Sequence, residues 1–278
     1  MSLARRRLDV LLVERGLFPS RQKAAAAIMA GLVYVEGRKA EKAGTMVPET
    51  ASVEVRGQPS RYVSRGGVKL ERALHAFGWF PEGAVALDIG ASTGGFTDCL
   101  LQHGAKRVYA VDVGYGQLHW QLRNDPRVVV MERTNARYLQ PGDLPEPVDW
   151  IVIDVSFISL TKIVPAAASL IKPGGRLVCL VKPQFEAGPE RVGPKGVVHD
   201  PAVHRDVLWS VLRSLAANGF SPEKVTYSPV RGPQGNIEYL VGAVRTAEGL
   251  AGDLDQTLWE ERVAAVVAQA HAADLPTA

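Results

Sequence analysis

The stretch Asp88-Ile-Gly-Ala-Ser-Thr-Gly-Gly-Phe-Thr97 decides the fold of this chain. It follows the apolar run Ala84-Val-Ala-Leu87, which predicts a buried strand, and it precedes Asp98-Cys-Leu-Leu-Gln-His103, which predicts the start of a helix. A strand, a glycine-rich turn and a helix N-terminus together form a cradle for a ligand. The three glycines of the stretch allow the backbone to come close to that ligand.

The spacing of these glycines indicates which ligand to expect. Dinucleotide-binding folds open with Gly-x-Gly-x-x-Gly, whereas here the pattern is Gly-x-x-x-Gly-Gly, with an Asp two residues before the first Gly. That pattern is more typical of the first motif of methyltransferases that use S-adenosylmethionine (SAM). We therefore expect SAM as the cofactor. The residues of the stretch expected to contact it are Asp88, Gly90, Ser92, Thr93, Gly94, Gly95 and Phe96.

A second acid supports this interpretation. Arg107-Val-Tyr-Ala-Val-Asp112 predicts a strand that ends in Asp112, where an acid accepts hydrogen bonds from ribose hydroxyls. Asn135 follows the third predicted strand, at the position where methyltransferases usually contact the adenine. The alternative is an α/β turn that binds no nucleotide, but strand, loop, helix, strand and acid all fall in the expected order.

The composition is that of a folded protein with an uneven distribution of charge. The chain has 278 residues, 46% of them hydrophobic and 22% charged, which allows one large domain or two smaller ones. Residues 1–65 contain 12 Lys and Arg against 6 Asp and Glu, and this excess indicates an anionic partner for the N-terminal part. Two cysteines exclude a disulfide framework. With neither a signal peptide nor a membrane-spanning stretch apparent, we expect a cytoplasmic protein without membrane contact.

The N-terminal part has its own pattern of elements. Helical spacing predicts helices over 7–14 and 21–30, and alternation predicts strands over 33–39 and 51–56. This order, with interspersed arginines and lysines, resembles the S4-type RNA-binding domain. The resemblance implies that basic side chains face RNA phosphates. The predicted RNA-binding residues are Arg5, Arg6, Arg7, Arg21, Lys23 and Arg38, together with Arg65 beyond the linker.

Strands and helices alternate through the rest of the chain. Beyond the strands already named, we predict strands over 127–132, 148–154, 176–182, 224–228 and 237–244, and helices over 71–77, 160–171 and 201–218. The fold class is therefore α/β, a Rossmann-like doubly wound methyltransferase sheet with a small α+β domain of the S4 type before it. The predicted boundaries are 1–60 for the S4-type domain, 61–248 for the methyltransferase domain and 249–278 for a helical tail.

Charged residues follow two predicted strands directly. Asp154 and Lys182 end adjacent strands, and the ligand of an open α/β sheet lies outside such ends. Lys69 precedes the glycine motif and Glu238 begins the last strand, so two lysines and two acids are expected in one cleft. Ordinary surface ion pairs are the alternative, and for Lys69 alone they are the favoured one.

Six motifs together resemble the TlyA family of rRNA 2′-O-methyltransferases, often named hemolysins. They are Ser64-Arg-Gly-Gly-Val-Lys69, the 88–97 stretch, Asp112-Val-Gly-Tyr-Gly-Gln117, Asp154-Val-Ser-Phe157, Val181-Lys-Pro-Gln-Phe-Glu186 and Gly235-Asn-Ile-Glu238. The catalytic part is similar to FtsJ-type ribose methyltransferases, which implies a catalytic tetrad of Lys69, Asp154, Lys182 and Glu238, with Asp154 also near SAM. It implies methylation of cytidine in 23S rRNA and leaves open whether 16S rRNA is a second substrate.

The chemistry of a hydroxyl target fits these residues. A ribose hydroxyl is a poor nucleophile, so the enzyme must align it and help to remove its proton. Lys182 is expected to act as the base or to stabilise the alkoxide, and no metal is expected. Methylation at pyrimidine carbon 5 needs a cysteine nucleophile, and neither Cys99 nor Cys179 falls at a strand end. The rival functions are an inactive rRNA-binding ribosome factor and a membrane-lytic hemolysin; the oligomeric state is open.

Overall fold

The structure is a computed structural model that describes residues 4–29, 31–56, 61–247, 252 and 254–277. The chain divides into two units, Met1–Arg61 and Tyr62–Ala278. In the described part of the chain, no helix combines the length and the apolar character that crossing a membrane requires.

The N-terminal unit combines two helices with two small antiparallel sheets. Leu8, Leu12, Ile28 and Val33 are buried in its core. The strand β1 pairs with β4, and β2 lies between β3 and β5. The bounds are β1 Arg5–Arg7, α1 Leu8–Glu14, α2 Arg21–Met29, β2 Val33–Val35, β3 Arg38–Lys39, β4 Met46–Pro48 and β5 Val53–Val55.

The structure confirms both predicted helices of this unit and divides the strand predicted over 33–39 into β2 and β3. Glu36 and Gly37 form the two-residue turn between β2 and β3, and both have positive φ, as such turns require. The strand β1 was not predicted, because three exposed arginines show no alternation and only the pairing with Met46–Pro48 makes them a strand. Ala30, the predicted end of the second helix, and residues 57–60 of the predicted linker lie outside the described residues.

The second unit is built on a seven-stranded sheet of order β11-β12-β10-β9-β6-β7-β8. The five strands from β10 to β8 are mutually parallel, and β12 runs antiparallel to both β10 and β11. The predicted doubly wound α/β fold is thereby confirmed. The bounds are β6 Val85–Ile89, β7 Arg107–Val111, β8 Val128–Met131, β9 Val148–Ile153, β10 Ile171–Val181, β11 Phe220–Tyr227 and β12 Tyr239–Arg245.

Helices cover both faces of this sheet. Because side chains alternate along a strand, Leu87 packs in one apolar cluster with residues of α6, α8 and α9, whereas Ala86 packs in the other with residues of α3 and α4. The bounds are α3 Gly66–Phe77, α4 Gly95–Gln102, α5 Trp120–Arg123, α6 Val164–Leu170, α7 Pro183–Glu186, α8 Pro201–Ala217 and α9 Gln256–Ala272. Short 3-10 turns span 136–138, 160–162, 189–191 and 194–196.

Several predicted elements differ from the structure; for example, α3 begins at Gly66 and not at residue 71, and β11 begins at Phe220 and not at residue 224. The helix predicted over 160–171 is a 3-10 turn followed by α6, and β10 already begins at Ile171. Pro173, Gly174 and Gly175 lie within β10 and not before it. They interrupt its pairing with β9, which resumes at Arg176 in a shifted register. Glu238 lies just before β12. In the tail, α9 packs against α8 and β11, and its Trp259 is buried.

Candidate active site

The carboxyl ends of four adjacent strands converge at one edge of the sheet. Gly90 follows β6, Asp112 follows β7, Asp154 follows β9 and Lys182 follows β10. Two adjoining cavities, of about 530 and 490 Å³, open at this edge. The residues that line both are Gly90, Ser92, Asp154, Ser156 and Phe157.

The first cavity contains a buried ion pair between α3 and the segment before β12. Lys69 Nζ donates to Glu238 Oε2 at 2.5 Å, and both side chains are less than one tenth exposed. Burial raises the pKa of Glu238, whereas the charge of Lys69 opposes that rise. The pair places a lysine and an acid, 169 residues apart in the sequence, on the same cavity wall.

A second ion pair faces the same cavity. Lys182 Nζ lies 2.6 Å from Asp154 Oδ1 and donates a hydrogen bond of 3.0 Å to Ser156 Oγ. The approach to Asp154 is Coulombic rather than a directed hydrogen bond, since Oδ1 accepts none from the described residues. All four residues of the predicted tetrad therefore line one cavity.

The second cavity extends from the glycine motif towards β7 and the 3-10 turn after β8. Asp112 lies on its wall, where Oδ2 accepts a hydrogen bond from the Ser92 amide at 2.8 Å and Oδ1 accepts one from the Gly114 amide at 2.7 Å. A carboxylate oxygen can accept more than one hydrogen bond, so both oxygens keep acceptor capacity. Asn135 lines the same cavity and caps the turn through the amide of Arg137.

The glycine motif has the backbone that its sequence predicts. Gly90 has a φ of 85°, and a Cβ at this position would lie 2.4 Å from the Asp154 carbonyl oxygen. Gly94 has a φ of 96°, and its Cβ would collide with Leu122. Ser92 also has positive φ, so the loop bends tightly between β6 and α4. Only glycine fits the first two positions without displacing neighbours.

The predicted SAM residues occupy two kinds of position. Eight of them line the cavities, namely Gly90, Ser92, Thr93, Gly95, Phe96, Asp112, Asn135 and Asp154. Asp88 and Gly94 line neither. Asp88 alternates with Leu87 and Ile89 along β6, so its side chain lies on the α4 face, where it accepts a hydrogen bond of 2.6 Å from Thr97. Burial raises the pKa of Asp88 to about 7.

Two aromatic side chains at the cavity, and one acid that joins the loops beside it, were not predicted as site residues. Phe157 is 89% exposed with a φ of 63°, and its ring lies 5.1 Å from that of Phe185. Glu186 accepts hydrogen bonds from Ser159 Oγ and the Leu160 amide, and so joins the loops after β9 and β10. The signal was present, since these residues lie in or beside the motifs around Asp154 and Lys182.

Gly67 also has a packing role in the segment before the glycine motif. The ring of Tyr62 occupies the space that a Cβ of residue 67 would need, with Cγ only 2.2 Å away. The glycine therefore accommodates Tyr62 beside the start of α3.

Ion pairs within the N-terminal unit involve half of the predicted RNA-binding arginines. Arg7 and Arg21 both contact the buried Asp9, and hydrogen bonding from Arg7 helps to lower the pKa of Asp9 to about 2. Arg6 pairs with Glu14 and Glu49, and Arg5 donates to the Met46 carbonyl.

Three other predicted RNA-binding residues are exposed. Lys23 and Arg38 form no ion pair with any residue that the structure describes. Arg65, in the second unit, lines the first cavity. These three are therefore the cations with the most freedom to meet a phosphate.

Comparison with known proteins identifies both units. Residues 62–245 match the FtsJ-like methyltransferase family, and residues 6–53 match the S4 domain. The chain is 50% identical over 241 residues to the 16S/23S rRNA (cytidine-2′-O)-methyltransferase TlyA of Mycobacterium tuberculosis, covering 86% of this chain and 90% of that protein. It is 43% identical over 235 residues to Hemolysin A of Brachyspira hyodysenteriae, covering 84% and 98%.

A solved structure shows the same architecture. A Streptococcus thermophilus protein that carries a provisional hemolysin name superposes with a TM-score of 0.75 at 44% identity, covering 97% of each chain. The family matches span both units of the chain, and the predicted resemblance is confirmed. The chain belongs to the TlyA family of FtsJ-like methyltransferases with an N-terminal S4 domain.

Proposed function

We propose that this chain transfers the methyl group of SAM to the 2′-hydroxyl of a cytidine in ribosomal RNA. The observation that carries the proposal is the pair of Lys–acid contacts, Lys69 with Glu238 and Lys182 with Asp154, on one cavity wall next to the glycine motif. That constellation suits a target whose proton must be removed while a methyl group is delivered from the adjoining cavity.

The residues of the second cavity fit SAM. The glycine motif brings backbone close to a ligand, Asp112 has acceptor capacity for ribose hydroxyls, and Asn135 stands beside apolar Ile158 and Ile163 where a purine ring could lie. Bound there, SAM would supply a methyl group already activated by its sulfonium. The two cavities meet at Gly90, Ser92 and Asp154, so a donor in one lies next to an acceptor in the other.

Lys182 is the residue that we assign to the reacting hydroxyl. It is buried at the end of β10, and its amine is oriented by Asp154 at 2.6 Å and Ser156 at 3.0 Å. In that position the amine accepts the proton of the 2′-hydroxyl once it has lost its own proton, whereas in its charged form it stabilises the oxygen as negative charge develops. Asp154 holds the amine by charge, and the hydrogen bond to Ser156 gives it a direction.

Lys69 and Glu238 line the same cavity as Lys182 and Asp154. Their buried contact at 2.5 Å holds Lys69 at the cavity, where a second ammonium group favours an electron-rich oxygen in the transition state. Glu238 and Asp154 together offset the positive charges of the two lysines, so the cleft keeps a balanced charge. The assignment of the tetrad to these four roles is part of the proposal.

The substrate assignment is supported by the relatives and by the N-terminal unit. The Mycobacterium tuberculosis relative is named for cytidine in both 16S and 23S rRNA. The S4 domain and its exposed Lys23 and Arg38 supply phosphate contacts that give affinity without sequence choice. We therefore propose 23S rRNA as a substrate, 16S rRNA as a second one, and the cytoplasm as the place of action.

Methyl transfer to isolated ribosomal subunits tests the proposal. Tritium from labelled SAM should appear in rRNA with the wild-type protein, and Lys182→Ala should lower the rate by about 10²–10⁴-fold. Lys182→Arg should not restore it, since a guanidinium does not give up its proton. The matched control is Lys106→Ala, which changes an exposed lysine before β7, at the opposite edge of the parallel sheet. Full activity in Lys182→Ala would show that Lys182 does not act on the reacting hydroxyl.

A further inference from the structure

Three potential metal ligands lie close together on α3 and at the end of α4. None of them has a role in the methyl transfer proposed above. They are Glu71, His75 and His103, whose ligand atoms all lie within 4.8 Å of one another. Glu71 and His75 stand four residues apart on α3, so they project from the same face of the helix. His103 is the residue that ends α4, which packs against α3. The cluster therefore joins two helices.

The imidazole of His103 has the hydrogen bond that metal-binding histidines usually make. Its Nδ1 lies 2.9 Å from the carbonyl oxygen of Cys99, so this nitrogen carries the proton and donates. The other ring nitrogen, Nε2, is then left with a lone pair. A backbone carbonyl bound in this way fixes the tautomer and the ring orientation of a metal ligand.

Neighbouring side chains hold the other parts of the cluster. The ring of Phe80 stacks on His103 at 5.9 Å and meets His75 edge-on at 5.5 Å, so both imidazoles have an apolar wall. The phenol of Tyr62 donates a hydrogen bond to the Glu71 carboxylate. Each ligand thus has a supporting contact.

We propose that Glu71, His75 and His103 form a Zn²⁺ site that fastens α3 to α4. Two imidazoles and one carboxylate are a ligand set that Zn²⁺ accepts, with water in the remaining position. Tetrahedral ligands at about 2.1 Å from the ion lie roughly 3.4 Å apart. The side chains must therefore close by about 1.5 Å at most, which rotation of the exposed His75 can supply.

The neighbouring thiol is not a ligand of this site. Cys99 Sγ lies 3.7 Å from His103 Nδ1, the ring nitrogen that already donates to the Cys99 carbonyl, and Cys99 is not among the three residues whose ligand atoms come together. The site also stands apart from methyl transfer, because Lys69 and Glu71 are two residues apart on α3 and therefore project from opposite sides of the helix. Its role is to stabilise the second unit.

Zn²⁺ binding by the full chain, without an affinity tag and after removal of metal by a chelator, tests this inference. Calorimetry should find one Zn²⁺ per chain. Zn²⁺ at about a hundred times its dissociation constant should raise the melting temperature by roughly 5–10 °C. Co²⁺ in place of Zn²⁺ should give the visible absorption of a four-coordinate ion.

Two variants and a control make the result specific. His75→Ala changes an exposed side chain and should fold, yet lose both the binding and the thermal shift; His103→Ala should do the same. His199→Ala removes another exposed histidine and should bind as the wild type does. Unchanged Zn²⁺ binding in His75→Ala and His103→Ala, or no binding by the wild type, would overturn the inference.

Discussion

The buried contact between Lys69 and Glu238 allows a quantitative test of the site. Glu238→Leu would leave the Lys69 ammonium without its partner in a place that is less than one tenth exposed, beside a second lysine, Lys182. Breaking a buried pair in this way costs about 3–5 kcal/mol. For a unit the size of Tyr62–Ala278, that free energy corresponds to a fall in melting temperature of roughly 6–20 °C.

The complementary single variant and the double variant complete a thermodynamic cycle. Lys69→Met leaves the buried Glu238 carboxylate without its partner and should lower the free energy of unfolding by a similar amount. The double variant, with Lys69→Met and Glu238→Leu together, removes both charges and should lie within about 1–2 kcal/mol of the wild type. Methyl transfer should be lost in all three, because the proposed chemistry uses both groups.

Urea denaturation followed by circular dichroism at neutral pH measures the four free energies of unfolding. These costs correspond to a coupling free energy of at least about 4 kcal/mol between the two substitutions. If the two single substitutions simply add in the double variant, the pair does not hold the site together and the assigned contact is wrong.

Three further predictions concern other parts of the chain. Burial raises the pKa of Asp88 to about 7, so the folded state keeps a proton that the unfolded chain loses near pH 4. The free energy of unfolding should therefore fall as pH rises from about 4 to 7, by about 4 kcal/mol at most. Denaturant midpoints of Asp88→Asn, measured across this pH range, should lack that fall. The same pH dependence in Asp88→Asn as in the wild type would show that Asp88 is not its cause. Asp112→Ala should weaken SAM binding in calorimetry while leaving the melting curve cooperative; unaltered affinity would exclude Asp112 from the cofactor site. Lys23→Ala and Arg38→Ala should each weaken rRNA binding and lower the slope of log affinity against log salt by about 0.7–0.9, and a slope equal to that of the wild type would show that neither meets a phosphate.

Local patterns are enough to predict the sheet and the position of the site. Apolar runs such as Ala84–Leu87 predict buried strands, and a glycine motif after such a run fixes the edge of the sheet at which ligands bind. Acids and lysines directly after strands then fall at the same edge. For this reason the amino-acid sequence alone is sufficient to place Asp154 and Lys182 together.

Long-range contacts and side-chain direction could not be predicted in the same way. The contact of Lys69 with Glu238 joins residues 169 positions apart, and no local pattern specifies it. Asp88 belongs to the motif, yet the alternation of β6 directs it towards Thr97 and away from both cavities. The strand β1 forms from three arginines only because β4 pairs with it.

At two places the backbone conformation differs from the one that the local sequence predicts. Pro173-Gly174-Gly175 predicts the end of a helix, but the chain enters β10 at Ile171 and passes the proline and glycines as an irregularity within the strand. Phe157 is a large aromatic residue with positive φ and high exposure, and the sequence does not predict this combination. Such positions are often linked to function, and this one borders both cavities.

Mass mapping of rRNA methylation tests the central claim most directly. Ribosomal RNA from cells that carry the wild-type chain, the Lys182→Ala variant or no copy of it would be digested to nucleosides and oligonucleotides, and the methyl groups would be located. We expect 2′-O-methylcytidine in 23S and 16S rRNA only in the cells that carry the wild-type chain. A methyl group on a base instead of a ribose, or the same 2′-O-methylcytidine in all three samples, would contradict it.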